Sequence, residues 1–126
     1  MNIITGSFPL TRSRRMRKDE FSRRLMAENV VTTNDLIQPL FIIEGEQRRE
    51  AVESMPGIDR LSVDLLVEEA KELYELGIPA VTLFPNLSSE ARSEDAKEAY
   101  NPNGLVQTAI RELKKAVPQL GVITDV

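Results

Sequence analysis

The sequence contains no cysteine and no histidine, and these two absences narrow the chemistry that its side chains can perform. Without cysteine the chain can form no disulfide and offers no thiolate to a metal ion. Without histidine it lacks the commonest metal ligand and the usual general base. Any chemistry carried by these 126 residues therefore falls to carboxylates, lysines, tyrosines or the backbone.

Long apolar runs are missing as well. No stretch is long enough to span a bilayer. The N-terminus has no signal peptide, because Ile3 and Ile4 are isolated and a basic cluster follows them instead of preceding an apolar region. The apolar and charged fractions, 41% and 29%, are those of ordinary globular proteins. We therefore expect a cytoplasmic location and no membrane contact.

Basic charge is concentrated at the N-terminus, although the formal net charge of the chain is -4. Such a basic arm can bind nucleic acid or the acidic surface of a sister subunit. Aromatic residues that could stack on bases are scarce among these charges, since only Phe8 and Phe21 are present. We therefore predict no nucleic-acid partner. Residues 1–30 contain seven basic residues and three acidic ones. The basic residues are Arg12, Arg14, Arg15, Arg17, Lys18, Arg23 and Arg24.

Three apolar segments predict β-strands. Residues 36–43 form a nearly continuous apolar run rich in isoleucine, and 78–84 and 122–126 are shorter apolar runs. Continuous apolar residues indicate strands buried on both faces, as in a parallel sheet, whereas a half-exposed strand would alternate.

Two segments between these strands carry apolar residues at helical spacing. The first follows Ser62, which favours helix N-caps, and stops at Gly77, which suits the left-handed residue after a helix. The second covers 103–117, with Asn101 as its predicted N-cap. A shorter helix is predicted at 17–29, within an otherwise extended arm.

The order strand, helix, strand, helix, strand makes two βαβ units, which require parallel strands. Connections from helix to strand are short, whereas those from strand to helix, 44–61 and 85–100, are long. A (β/α)8 TIM barrel has this asymmetry, and its long loops carry the active site. A doubly wound sheet shares the pattern, although 44–49 lack the glycine spacing of a dinucleotide site. We predict an N-terminal arm over 1–34 and the first βαβαβ part of an α/β barrel over 35–126.

Three strands cannot close a barrel, and the chain ends within the third predicted strand. The sheet by itself would leave strand edges open, which promotes aggregation. We therefore expect this chain to be a fragment of a longer protein.

Catalytic residues of barrels lie at the carboxyl ends of the strands, and Glu44, Phe84, Thr124 and Asp125 hold such positions here. Asp125 is the most interesting, because a carboxylate at the end of an apolar strand is costly to bury without partners. It could equally be a structural aspartate that accepts hydrogen bonds from loop N–H groups. Glu44 fits a solvated loop carboxylate, and Phe84 fits either the core or the lining of a pocket.

Seven segments, in order and over nearly the whole chain, occur together in one enzyme family. They resemble porphobilinogen synthases, also called δ-aminolevulinic acid dehydratases. The segments are RRMRK at 14–18, DLIQPLF at 35–41, SMPG at 54–57, GIPA at 77–80, LFP at 83–85, EAYNP at 98–102 and GVITDV at 121–126.

The resemblance implies an enzyme that condenses two 5-aminolevulinate molecules to porphobilinogen, with loss of two waters, in tetrapyrrole and heme biosynthesis. It implies two lysines that bind substrate as Schiff bases and a zinc or magnesium site, all beyond position 126. No metal ligand or cofactor is therefore expected within residues 1–126, and the chain alone is expected to be inactive. Asp125 matches an aspartate that contacts the substrate-derived amino group, and Phe84 matches an aromatic residue that lines the pocket.

The resemblance also implies a homo-oligomer, an octamer or a hexamer, in which the N-terminal arm wraps a neighbouring subunit. This favours the sister-subunit interpretation of the basic arm. An alternative is a truncated homologue that acts as an interaction module through its arm.

Overall fold

The structure is a computed structural model that describes residues 6–11, 14–89 and 91–124, and its contacts divide the chain into two units, Met1–Val31 and Thr32–Val126. The first unit contains helix α1 (Glu20–Met26) after a short 3-10 turn. The buried Ser22 hydroxyl lies 2.9 Å from two carbonyl oxygens that precede it, which ties the turn to the helix. The domain boundary expected after residue 34 stays a prediction.

The second unit is a mixed α/β structure with one sheet. Its strands are β1 (Ile37–Ile42), β2 (Arg49–Ala51), β3 (Asp59–Leu61), β4 (Ala80–Pro85) and β5 (Gly121–Thr124). Its α-helices are α2 (Val63–Glu75) and α3 (Leu105–Ala116). No helix in the described part of the chain is long and apolar enough to cross a membrane.

The strand order in the sheet is β2-β3-β1-β4-β5. Strands β1, β4 and β5 are parallel, as the two βαβ units require. The expectation of three strands was too low, because the connection between β1 and α2 contains a hairpin. In this hairpin β2 runs antiparallel to β3, and β3 pairs in parallel with the end of β1. Each hairpin strand has three residues, too few for apolar periodicity to show it.

Both long helices cover the same face of the sheet. The strand residues beneath them alternate along each strand and therefore point to one side. They pack with the apolar stripes of α2 and α3 into a single buried core. The core consists of Leu40, Ile42, Leu61, Leu66, Ala70, Val81, Leu83, Leu105, Ala109, Leu113, Val117 and Leu120.

The opposite face of the sheet carries neither α2 nor α3. We call it the helix-free face; its side chains include those of Ile37, Pro39, Phe41, Thr82, Phe84 and Ile123, which alternate with the core residues. Ile37, Phe84 and Ile123 are 55%, 39% and 45% exposed. An apolar strand face of this kind is normally covered. The continuous apolar runs in the sequence therefore include residues that α2 and α3 do not bury.

Helix α3 begins two residues later than the sequence predicted, with Gly104 in place of Asn101 as its N-cap. The Glu98 carboxylate reaches the helix end, where Oε1 accepts a hydrogen bond from the Leu105 N–H at 3.2 Å. Its other oxygen accepts from the Asn101 side chain at 2.9 Å. Asn101 therefore supports the cap through Glu98, a residue seven positions before the bonded N–H that sequence spacing did not single out.

A side chain at Gly104 would displace the Glu98 carboxylate from the Leu105 N–H, and we expect Gly104→Ala to lower the free energy of unfolding by about 0.5–2 kcal/mol, the usual cost of a lost helix cap. A Cβ there would crowd Oε1 of both Glu98 and Gln107 and lie 3.1 Å from the Asn101 carbonyl oxygen. Urea denaturation measures the change. Gly57→Ala is the comparison, since its Cβ would meet nothing within 4 Å and only its φ of +84° is unfavourable. An unchanged stability for Gly104→Ala would contradict the close packing at this cap.

Candidate functional site at the carboxyl edge of the sheet

The carboxyl ends of β1, β4 and β5 meet at one edge of the sheet. Ile42 lies opposite Pro85, and Leu83 lies opposite Thr124. The Asn86 N–H donates to the Ile42 carbonyl oxygen at 2.8 Å, which holds the exit of β4 against that of β1. In parallel α/β folds this is the edge at which ligands bind.

Phe84 stands at this edge on the helix-free face, beside Phe41 of the neighbouring strand. The two ring centroids are 5.7 Å apart and the rings are tilted by 32°, within the range of favourable aromatic pairs. With 39% of its surface exposed, Phe84 is not a core residue of the described chain. Its predicted role in lining a substrate pocket stays a prediction.

Charged side chains lie beside the aromatic pair, at the matching positions of the next two strands. Arg60 lies opposite Phe41, and Glu50 lies opposite Arg60. The Glu50 carboxylate pairs with Arg60 through Oε1 and with Arg48 through Oε2, each at 2.9 Å. We call Arg48, Glu50 and Arg60 the rim cluster; it holds two guanidinium groups for one carboxylate.

Sequence reasoning missed the rim cluster, although a signal for it exists. Oppositely charged residues occur at 48–50 and again at 59–60, on either side of a Pro-Gly turn. Two short segments around such a turn are a hairpin signal. A hairpin brings opposite charges into cross-strand pairs, as it does here.

Residues 44–48, which belong to the loop between β1 and β2, are fastened to the start of α2. Ser62 is 0% exposed, and its hydroxyl accepts a hydrogen bond from the Arg48 N–H at 2.9 Å. The same hydroxyl donates to Asp64 Oδ1 at 2.5 Å. The Asp64 Oδ2 accepts from the Gln47 N–H at 2.9 Å and from the Gln47 side-chain amide. Ser62 holds the N-cap position as predicted, yet it makes no side-chain cap bond with its own helix.

These hydrogen bonds favour the ionised form of Asp64. The bond from the Ser62 hydroxyl is the largest influence that holds the pKa of Asp64 below its ordinary value, against desolvation, which raises it. The bond from the Gln47 N–H acts in the same direction as that from Ser62. Asp64 thus accepts hydrogen bonds on both oxygens and stays charged at neutral pH.

The other strand-end candidates lie at separate places along the same edge. Glu44 is exposed and lines a depression of about 200 Å³ together with Arg48, Asn86 and Ser88. Thr124 lines a larger cavity of about 420 Å³ between α3 and the loop after β4. Asp125 lies outside the described residues, so its predicted contact with substrate stays a prediction.

Metal ligands were expected only beyond position 126. Among residues 6–11, 14–89 and 91–124, no group of three or more acidic side chains could hold a metal ion. The prediction that residues 1–126 supply no metal ligand is not tested by this observation and stays a prediction.

Comparison with known proteins assigns the family. The profile described as Delta-aminolevulinic acid dehydratase matches residues 10–126. The chain belongs to the delta-aminolevulinic acid dehydratase family. A family member from Bradyrhizobium diazoefficiens is 51% identical over 115 residues, and one from Synechocystis is 48% identical over 118 residues. The resemblance inferred from the seven sequence segments is therefore confirmed.

A solved dehydratase structure supports the fold. Its description is delta-aminolevulinic acid dehydratase (porphobilinogen synthase) from Toxoplasma gondii in complex with the reaction product porphobilinogen. The chain superimposes on it with a TM-score of 0.82 and 42% identity, over 92% of this chain and 33% of that one. The two bacterial dehydratases are likewise matched over 33% and 36% of their length, so the chain spans about a third of its relatives.

Proposed function

We propose that the protein to which this chain belongs is a porphobilinogen synthase, which condenses two molecules of 5-aminolevulinate and releases two waters. Family membership over residues 10–126 is the observation that carries the proposal. The similarity to a dehydratase solved with porphobilinogen bound supports it. The product belongs to tetrapyrrole and heme biosynthesis, and the proposed location is the cytoplasm.

The proposed architecture is a (β/α)8 barrel to which this chain contributes three barrel strands and two helices. Strands β1, β4 and β5 lie side by side in the sheet, in the same order as in the chain, and both α2 and α3 pack on one face of this sheet. That arrangement favours a barrel over a doubly wound sheet, which carries helices on both faces. The helix-free face would then point into the barrel, where side chains from other strands would cover its exposed apolar residues.

Within the proposed active site, Phe84 provides an apolar wall and Asp125 contacts the substrate amino group. The exposed ring of Phe84 at the carboxyl edge supports the first role. The second rests on the family resemblance and on the sequence, in which Asp125 directly follows β5. A carboxylate there would hold an ammonium group by a charge-assisted hydrogen bond.

The groups that bind the substrates covalently and those that bind the metal ion are proposed to lie beyond position 126. They are the two lysines that bind substrate as Schiff bases and the ligands of a zinc or magnesium ion. The contribution of this chain is proposed to be the wall and rim of the site, as the exposed Phe84 ring at the carboxyl edge supports.

The proposed oligomer, an octamer or a hexamer, is held together by the N-terminal arm. Basic side chains outnumber acidic ones there by seven to three, while the rest of the chain is acidic. The arm also exposes the apolar side chains of Phe21 and Leu25 on α1. An apolar surface bordered by positive charge suits docking on an acidic neighbour.

The proposal predicts that porphobilinogen forms when the complete reading frame is expressed and supplied with 5-aminolevulinate. The product is measured by its colour with an aldehyde reagent, and the 126-residue chain assayed alone is expected to give none. A complete protein that folds, contains its metal and yields no porphobilinogen would overturn the proposal. A reading frame that stops after Val126 would favour the interaction module instead.

A further inference from the structure

We propose that Asp64 is a positioning residue that fixes loop 44–48 and, through it, the rim cluster beside Phe41. The fixing of the loop is independent of the proposed function. The consequence for catalysis rests on that function, because it requires the active site to lie at this edge of the sheet.

The backbone of the loop needs an external partner to keep its shape. Gly45 and Gln47 both have positive φ values, +120° and +50°. Glycine tolerates such a conformation, but glutamine does so only when its surroundings stabilise it. For Gln47 the stabilising contacts are its two hydrogen bonds to the Asp64 carboxylate, one from the backbone and one from the side chain.

The next residue of the loop is fixed by the same carboxylate through a buried hydroxyl. Ser62 receives the Arg48 N–H and gives its own proton to Asp64. The Ser62 N–H in turn donates to the Arg48 carbonyl oxygen at 2.9 Å. Because the Ser62 hydroxyl donates its hydrogen to the Asp64 carboxylate, its lone pairs are free to accept from the Arg48 N–H. Asp64 therefore sets the orientation of the Ser62 hydroxyl.

Arg48 then transmits this placement to the helix-free face. Its guanidinium group pairs with Glu50, which also holds Arg60, and Arg60 lies opposite Phe41 on the neighbouring strand. Hydrogen bonds and ion pairs thus connect the first turn of α2 to Arg60, and strand pairing places Arg60 next to Phe41. Removal of Asp64 would leave the Gln47 amide without an acceptor and Ser62 without a fixed orientation.

Hydrogen exchange of single amides in the complete protein tests the fixing of the loop. Asp64→Ala is expected to accelerate exchange at the Gln47 and Arg48 amides by roughly tenfold or more. The Gln47 N–H loses its charged acceptor, and the Arg48 N–H keeps an acceptor, the Ser62 hydroxyl, that Asp64 no longer orients. Glu68→Ala is the matched control, because Glu68 lies one turn along α2 and its carboxylate pairs with Lys71 of the same helix at 2.8 Å. It should leave both loop amides unchanged.

Gln47→Gly guards against a general loss of structure. Glycine suits the positive φ, keeps the backbone N–H for Asp64 and leaves the Ser62 bonds intact. Protection of the Arg48 amide is therefore expected to persist in this variant. Equal acceleration in Asp64→Ala and Glu68→Ala, or no acceleration in Asp64→Ala, would overturn the proposal.

The catalytic consequence has its own readout in the complete protein. Asp64→Ala is expected to raise KM for 5-aminolevulinate several-fold with kcat within about twofold, since the rim is loosened and no reacting group is removed. Unchanged KM together with accelerated loop exchange would overturn the link to the active site. Absence of activity in the unaltered protein would instead count against the proposed function.

Discussion

Replacement of Leu113 by alanine is expected to lower the free energy of unfolding by about 2–5 kcal/mol, the range for a fully buried leucine that leaves a cavity. Leu113 lies on α3 with no exposed surface and belongs to the core that contains Val81 and Leu83 of β4. Because small domains are stable by only about 5–15 kcal/mol, this loss would remove a large part of the total. The midpoint of urea unfolding measures it.

The control is a second leucine-to-alanine change at an exposed position. Leu76 follows α2 and has most of its surface in solvent, so its truncation should change stability by less than about 0.5 kcal/mol. If the two variants unfold at the same urea concentration, α3 does not form the core contacts described above.

The second large effect concerns activity in the complete protein. Asp125→Ala is expected to lower kcat/KM by about 30-fold or more, because truncation of one partner of a buried charged hydrogen bond costs roughly 2–5 kcal/mol. The measurement is porphobilinogen formation at several 5-aminolevulinate concentrations. Its physical basis is the proposed contact between the carboxylate and the substrate amino group.

Glu112→Ala provides the control, since Glu112 lies on α3, away from the strand-to-helix loops, and pairs with Lys115 at 3.8 Å. Its activity should match that of the unaltered protein. A folded Asp125→Ala protein with full kcat/KM would show that Asp125 is structural, the alternative that its sequence position leaves open. Unfolding of Asp125→Ala would be recognised from its denaturation curve.

Regular elements were predictable from the sequence where local pattern and tertiary burial agree. The spacing of Leu66, Ala70 and Leu73 makes one stripe of a helix, and that stripe is buried against the sheet in α2. The glycine predicted to end this helix, Gly77, has a φ of +87°, as its left-handed role requires. Such features depend on residues a few positions apart, so they are visible as periodic patterns in the sequence.

The helix-free face and the rim cluster were not predictable in this way. Strands β2 and β3 are short and charged, and their residues gain partners only when the hairpin folds against β1. The acceptor for the Leu105 N–H likewise comes from Glu98, in a preceding turn. In each case the contact forms only when the fold brings together residues that are separated in the sequence.

By itself, the sequence determined the parallel order of strands and helices, the segments that place the chain in its family, and the absence of cysteine and histidine chemistry. Tertiary structure decided which face of the sheet the helices cover. It also placed Phe41 between Phe84 and Arg60, and it bound Asp64 to a loop seventeen residues away. The physical reason is that periodicity records local burial, whereas hydrogen bonds and ion pairs between distant segments depend on distances that only the folded backbone sets.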